Sequence, residues 1–175
     1  MNWTELLKCG VQGAYPATDA LMAKLTDREL GWKPATGENW MTTGQLLLHL
    51  TNACGTCCRG FATGDWGLPA GKEMKDLPHE EMLPPAEKLP TVASVAEARR
   101  KLAVDQALAL QMIDQVGEAD LQGKVAVAPW DPAHPRPLGE HFLGMIGHLN
   151  SHKSQLFYYL KLMGKPVHTG DLWGM

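Results

Sequence analysis

The chain has 175 residues, 45% hydrophobic and 20% charged, with a formal net charge of −3, which allows one domain with a substantial core and excludes an evidently basic nucleic-acid surface. No stretch approaches the roughly 18 apolar residues of a spanning helix, and the N-terminus MNWTELLKCGVQG lacks the basic flank and apolar run of a signal peptide. The expectation is a single domain over residues 1–175, soluble and cytoplasmic, with neither a membrane nor a nucleic-acid partner.

A first helix is expected over about residues 4–26, where Leu7, Val11, Ala14, Leu21 and Leu25 form a helical stripe and Pro16 should kink or divide it. The turn-like TDRELGWKPATGENW follows. A second helix opens at the capping-box pattern Thr42-x-x-Gln45 and runs to about Thr63, where TGDWGLPAG ends it. Residues 64–93 contain Pro69, Pro78, Pro84, Pro85 and Pro90 and read as a long surface connection. The third helix starts at Ser94-x-x-Glu97 and reaches about Val116, with Val95, Ala98, Leu102, Ala109, Ile113 and Val116 on its apolar face. GKVAVAPWDPAHPRP is then an irregular arm with a short extended piece at Val125–Ala128, and a fourth helix runs from near Pro137 to Gly164. The fold class is all-α: a four-helix bundle with a long crossover between helices 2 and 3.

Cys54, Cys57 and Cys58 crowd into CGTCC, a poor spacing for a disulfide framework, so reduced thiols are expected. Cys54-x-x-Cys57 has the form of half a zinc knuckle, but no second half follows. Small buried helix residues are the preferred reading over a metal or redox role.

His148 and His152 stand four apart in the fourth helix, about 40° apart around its axis and one turn up, so both project from one face. Two imidazoles so placed can grip one metal ion. The intervening Leu149, Asn150 and Ser151 remove the general-base glutamate of an HExxH protease. A third ligand from a facing helix would complete the set, and His49 is the candidate. Its face carries Thr42, Gln45, Ala53, Thr56 and Gly60, small or polar where a plain core would carry leucine. Gly144, Met145, Gln155 and Tyr159 make a matching wall on the fourth helix. His141 lies on that side too, but about 10 Å along the axis from the pair, and is read as pocket lining or surface. Asp105 and Gln106 interrupt the stripe of the third helix; either is an acceptor for the far ring nitrogen of a ligand histidine, or both sit in water at the stripe's edge.

LGWKPATGENWMTTGQLLLHL resembles the DinB/YfiT-like segment in which a Trp-x-Pro turn, a tryptophan and a polar cap lead into a helix bearing one histidine. LGEHFLGMIGHLNSHKSQLFYYLKLMG is similar to that family's last helix, with its H-x-x-x-H pair, a basic residue, Gln-Leu and a closing glycine. The resemblance implies an up-down-down-up bundle, a divalent metal on His49, His148 and His152 with open positions, and a homodimer. The chain departs from the family where Arg-Gly often follows the second ligand: here stand Lys153 and Ser154, so a contact needing a guanidinium fork is lost.

Three neutral imidazoles make an open, catalytic type of metal site. Zinc or nickel, and after them iron, fit the donor set; copper also accepts nitrogen donors. The resemblance implies a thiol-utilising transferase or isomerase in which a low-molecular-weight thiol is cosubstrate. Its sulfur would replace metal-bound water, with Gln45, Asp105 or Tyr159 placing the electrophile. The alternatives are a metal- or small-ligand-binding bundle without turnover, and a helical oligomerisation domain whose histidines bind nothing.

Overall fold

The computed structural model describes residues 2–69, 71–72 and 74–175, and among these the chain is mostly helical, with one small antiparallel sheet. Helix α1 (Trp3–Met22) is closed at its start by a reciprocal Asn2/Glu5 cap. The Glu118 carboxylate also accepts from the Trp3 and Thr4 backbone N–H groups, both at 2.9 Å. Its buried stripe includes Leu7, Val11, Ala14 and Leu21, as periodicity predicts. Pro16 does not divide it. Pro16 and Gln12 are both exposed, so the carbonyl that loses its donor faces water.

The second expected helix is two helices, α2 (Thr43–Leu50) and α3 (Gly55–Thr63). Thr51, Asn52 and Gly55 are weak helix formers, and the backbone turns out of helical geometry at Cys54 (φ −131°, ψ −69°). The buried Asp105 carboxylate takes over the freed start of α3, accepting from Gly55 N at 2.9 Å and Thr56 N at 2.7 Å. A side chain at Gly55 would drive its Cβ into the Asp105 carbonyl oxygen, so only glycine lets α3 approach this closely.

The long connection is not wholly irregular. It holds short 3₁₀ turns at Met74–Asp76 and Ala86–Lys88 and a one-turn helix, α4 (His79–Met82). Helix α5 (Val95–Gly123) opens with the Ser94 cap and leaves helical geometry at Gly117 (φ 75°), so its first run ends where expected and a further turn follows. The expected irregular arm is a hairpin: β1 (Val125–Ala128) pairs antiparallel with β2 (Asp131–Pro137). Three prolines hid β2 in the sequence, and a two-stranded ribbon tolerates them because each strand has a free edge. Helix α6 (Leu138–Leu162) and a short α7 (Thr169–Trp173) complete the chain.

The core lies where α1, α5 and α6 meet, with α3 packed on α5 and α6, and α2 on α6 and α5. Leu7, Leu21, Leu46, Leu50, Phe142, Leu149 and Leu160 are fully buried in it, each stabilising by about 1.5–3 kcal/mol relative to exposure. The cysteines are free thiols, with Cys54 and Cys58 buried, as small core residues would be. No helix among the described residues is long and apolar enough to cross a membrane.

Candidate metal centre

Helix α2 is held by its Thr42/Gln45 capping box and by Thr43 and Gly44, whose backbone N–H groups donate to the carbonyls of Trp32 and Leu30. This fixes the direction in which His49 leaves the helix. From α6, His148 and His152 rise on one face toward it. The Nε2 atoms of His49 and His148 are 3.1 Å apart, and those of His148 and His152 3.0 Å. One ring nitrogen from each of the three lies within 4.8 Å of the others. These separations suit nitrogen donors sharing an ion at the roughly 2.0–2.1 Å of a zinc–imidazole bond.

All three rings are half-buried, and burial, the largest influence, disfavours their charged forms. For His49 the neighbouring His152 and His148 add to it, and its pKa falls to about 4. His148 and His152 shift down as well, so at neutral pH the cluster is three neutral imidazoles. His148 Nδ1 lies 3.2 Å from the Ala53 carbonyl oxygen. A carbonyl only accepts, so Nδ1 carries the proton and the inward Nε2 offers a lone pair. Ala53 stands in the break between α2 and α3, and the break leaves its carbonyl available.

Gln155 and Tyr159 are next to the cluster: Gln155 Oε1 is 2.9 Å from His152 Nδ1, Gln155 Nε2 donates to the Tyr159 hydroxyl at 3.2 Å, and that hydroxyl donates to the Met41 carbonyl at 2.9 Å. Gln45 has another task. Its Oε1 accepts from Thr42 N, and its Nε2 donates to the carbonyls of Glu87 and Leu89, tying the long connection to α2. Leu89 and Pro90 thereby close one side of a small cavity of about 90 Å³ that His49, Leu48, Asn52 and Gln45 also line.

Asp105 serves α3 and Tyr15 rather than a histidine ring. Besides Gly55 and Thr56 N it accepts from the Thr56 hydroxyl at 2.9 Å and the Tyr15 hydroxyl at 2.7 Å. Gln106 is half-buried on α5, outside the hydrogen bonds of the cluster. His141 is buried, stacks on Phe61 with ring centroids 4.2 Å apart, and lies 3.0 Å by Nε2 from the Ala126 carbonyl. It lines a separate pocket of about 180 Å³ under the hairpin, beside Trp130. The Ala53 carbonyl and the two tryptophans packed edge-on against Tyr159, Trp32 at 5.2 Å and Trp40 at 6.2 Å, were not anticipated. The only signal for them was the run of weak helix formers around Ala53 and the unexplained Trp-x-Pro turn.

Helices packed about one core, with three histidines from two of them gathered at one point, define a helical protein with a cluster that could hold a metal ion. A family model described as the DinB superfamily matches residues 12–156, and the chain belongs to that superfamily. No curated protein and no solved structure matches the chain.

Proposed function

We propose that His49, His148 and His152 bind one divalent transition metal, zinc or nickel before iron, and that the protein is a metal-dependent transferase or isomerase using a low-molecular-weight thiol on a small electrophile. The observation that supports this best is the convergence of neutral ring nitrogens: with the His148 proton held by Ala53, the His148 Nε2 lone pair faces the Nε2 atoms of His49 and His152 at 3.1 and 3.0 Å, a spacing that a shared cation fits. When bound, such an ion supplies Lewis acidity and favours a thiolate over a thiol. The protein's own residues hold the ligands, and Gln45 keeps Leu89 and Pro90 against the His49 side, which limits approach there. The same reading takes residues 1–175 as one domain, with α1, α2 and α3 together, α5 and α6 as the four positions of an up-down-down-up bundle. It also takes the protein to be a cytoplasmic homodimer, which sedimentation at micromolar concentration tests.

Elemental analysis of tag-free protein beside the triple His49/His148/His152→Ala variant comes first. A single equivalent of transition metal, absent from the folded variant, is expected; no metal in either after reloading with zinc, nickel and iron would end the proposal. Thiol-dependent consumption of an electrophile panel, lost in His148→Ala, then tests turnover. A binding bundle without turnover is the second reading. It is favoured by the use of Asp105, whose carboxylate is committed to α3 and Tyr15 rather than free for proton transfer.

A further inference from the structure

His148 owes its inward lone pair to a carbonyl at its far nitrogen. His152 has no carbonyl there; it faces Gln155, an amide that can present either its oxygen or its NH₂ group. An NH₂ group turned toward Nδ1 would make that nitrogen the acceptor and move the ring proton to Nε2, into the cluster. Something must decide between the two.

We propose that Tyr159, acting through Gln155, is the positioning residue that fixes the tautomer of His152, and that the Met41 carbonyl sets the direction of the whole chain. The Met41 carbonyl cannot donate, so the single Tyr159 hydroxyl proton goes to it, over 2.9 Å. The Tyr159 oxygen is then left only as an acceptor toward Gln155, and the amide atom facing it at 3.2 Å must be the donor, Nε2. That turns Oε1 to His152, 2.9 Å from Nδ1, which must therefore carry the proton. The His152 Nε2 lone pair is the remaining consequence, and it points at His148 Nε2 3.0 Å away.

The arrangement is held rigidly. Tyr159 is 1% exposed, and the rings of Trp32 and Trp40 pack edge-on against it. Met41 lies directly before the Thr42 cap of α2. The relay therefore ties the entry of the helix that bears His49 to the ligand orientation on α6, 118 residues away at the Tyr159–Met41 bond. It also gives the Trp-x-Pro turn a task, which is to brace the tyrosine.

The consequence for metal affinity rests on the three-histidine reading, whereas the tautomer can be read in a first arm without metal, where the His148 Nε2 lone pair 3.0 Å away competes with Gln155 for the His152 proton. In ¹⁵N-labelled metal-free protein at mildly alkaline pH, long-range proton–nitrogen correlations should show His152 protonated on Nδ1. In Tyr159→Phe the amide is released, and a second population protonated on Nε2 is expected. In the second arm, zinc affinity measured against a competing chelator should fall roughly 10–100-fold in Tyr159→Phe. Gln155→Glu separates positioning from packing, because a carboxylate can only accept from Nδ1 and needs no tyrosine to turn it. Gln155→Glu and Gln155→Glu/Tyr159→Phe should therefore bind zinc within about twofold of each other. An unchanged tautomer in Tyr159→Phe, or the same loss of affinity in the Gln155→Glu background, would overturn the proposal. If the native protein binds no zinc while the tautomer responds as stated, the relay stands and the metal reading falls.

Discussion

A histidine that resists protonation only when folded makes stability depend on pH, and His49 is the sharpest case, with its pKa lowered to about 4 from the ordinary 6.5. Between those values the unfolded chain binds a proton that the folded chain does not. Stability is then complete above pH 6.5 and declines as pH falls to about 4, by up to about 3 kcal/mol for this residue alone. His148 and His152 are shifted in the same direction and add to the slope. Chemical denaturation of the metal-free protein at pH 7.5 and 5, values on either side of the ordinary histidine pKa, should show this loss, and His49→Ala should flatten it. A slope unchanged in that variant would mean that the acid sensitivity originates elsewhere. Bound metal should steepen the same profile, since protons and the ion compete for the same nitrogens.

The break between α2 and α3 is the element on which the cluster depends, because a continuous helix would have committed the Ala53 carbonyl that now faces His148 Nδ1. Asp105 maintains the break by accepting the Gly55 and Thr56 N–H groups. Asp105→Asn should therefore cost about 2–4 kcal/mol, since an amide cannot accept from all of these donors and leaves some unpaired. It should also weaken metal binding without touching a ligand. Thermal melts and chelator competition on the same preparation check the two effects; destabilisation with native affinity would show that His148 does not depend on the break. This interruption also marks where the sequence stopped being legible. The starts of the long helices and the end of α6 could be read because capping residues, apolar periodicity and Gly164 are local signals, whereas α1 stops at Met22, short of the expected residue 26, and α5 runs on past Gly117 to Gly123. The His148–His152 pair could be read because i, i+4 spacing on a helix is local too, whereas His49, 99 residues from His148, is a candidate only through the small or polar face of its own helix and the family resemblance. The division before Gly55 depends on a carboxylate 50 residues away from that glycine, and the roles of Asp105 and Gln45 on partners that only the packed chain supplies. A polar residue on an apolar face signals that a partner exists without saying which.

At the scale of the molecule, an eight-residue helix such as α2 has no stability of its own. It is held by the Trp32 and Leu30 carbonyls at its start, by Gln45 to the connection, and by packing on α6 and α5. A metal on His49, His148 and His152 would add a tie between α2 and α6, two elements 99 residues apart at the His49–His148 contact. An ion bound only by the folded state at a hundredfold excess over its Kd stabilises by about 2.7 kcal/mol, which for a chain of this size raises Tm by roughly 5–11 °C. The gain should be local as well as global. Hydrogen exchange should slow most in α2 and around His148–His152, and much less where α1 packs on α5. Releasing the connection tests the other side of the cluster. Gln45→Leu removes both donors to the Glu87 and Leu89 carbonyls, so the amides of residues 86–89 should exchange faster and a chelator should strip the ion several-fold faster. If stripping proceeds at the native rate while residues 86–89 open, the ion leaves by a route that does not pass Leu89 and Pro90, and the small cavity beside His49 is not its entrance.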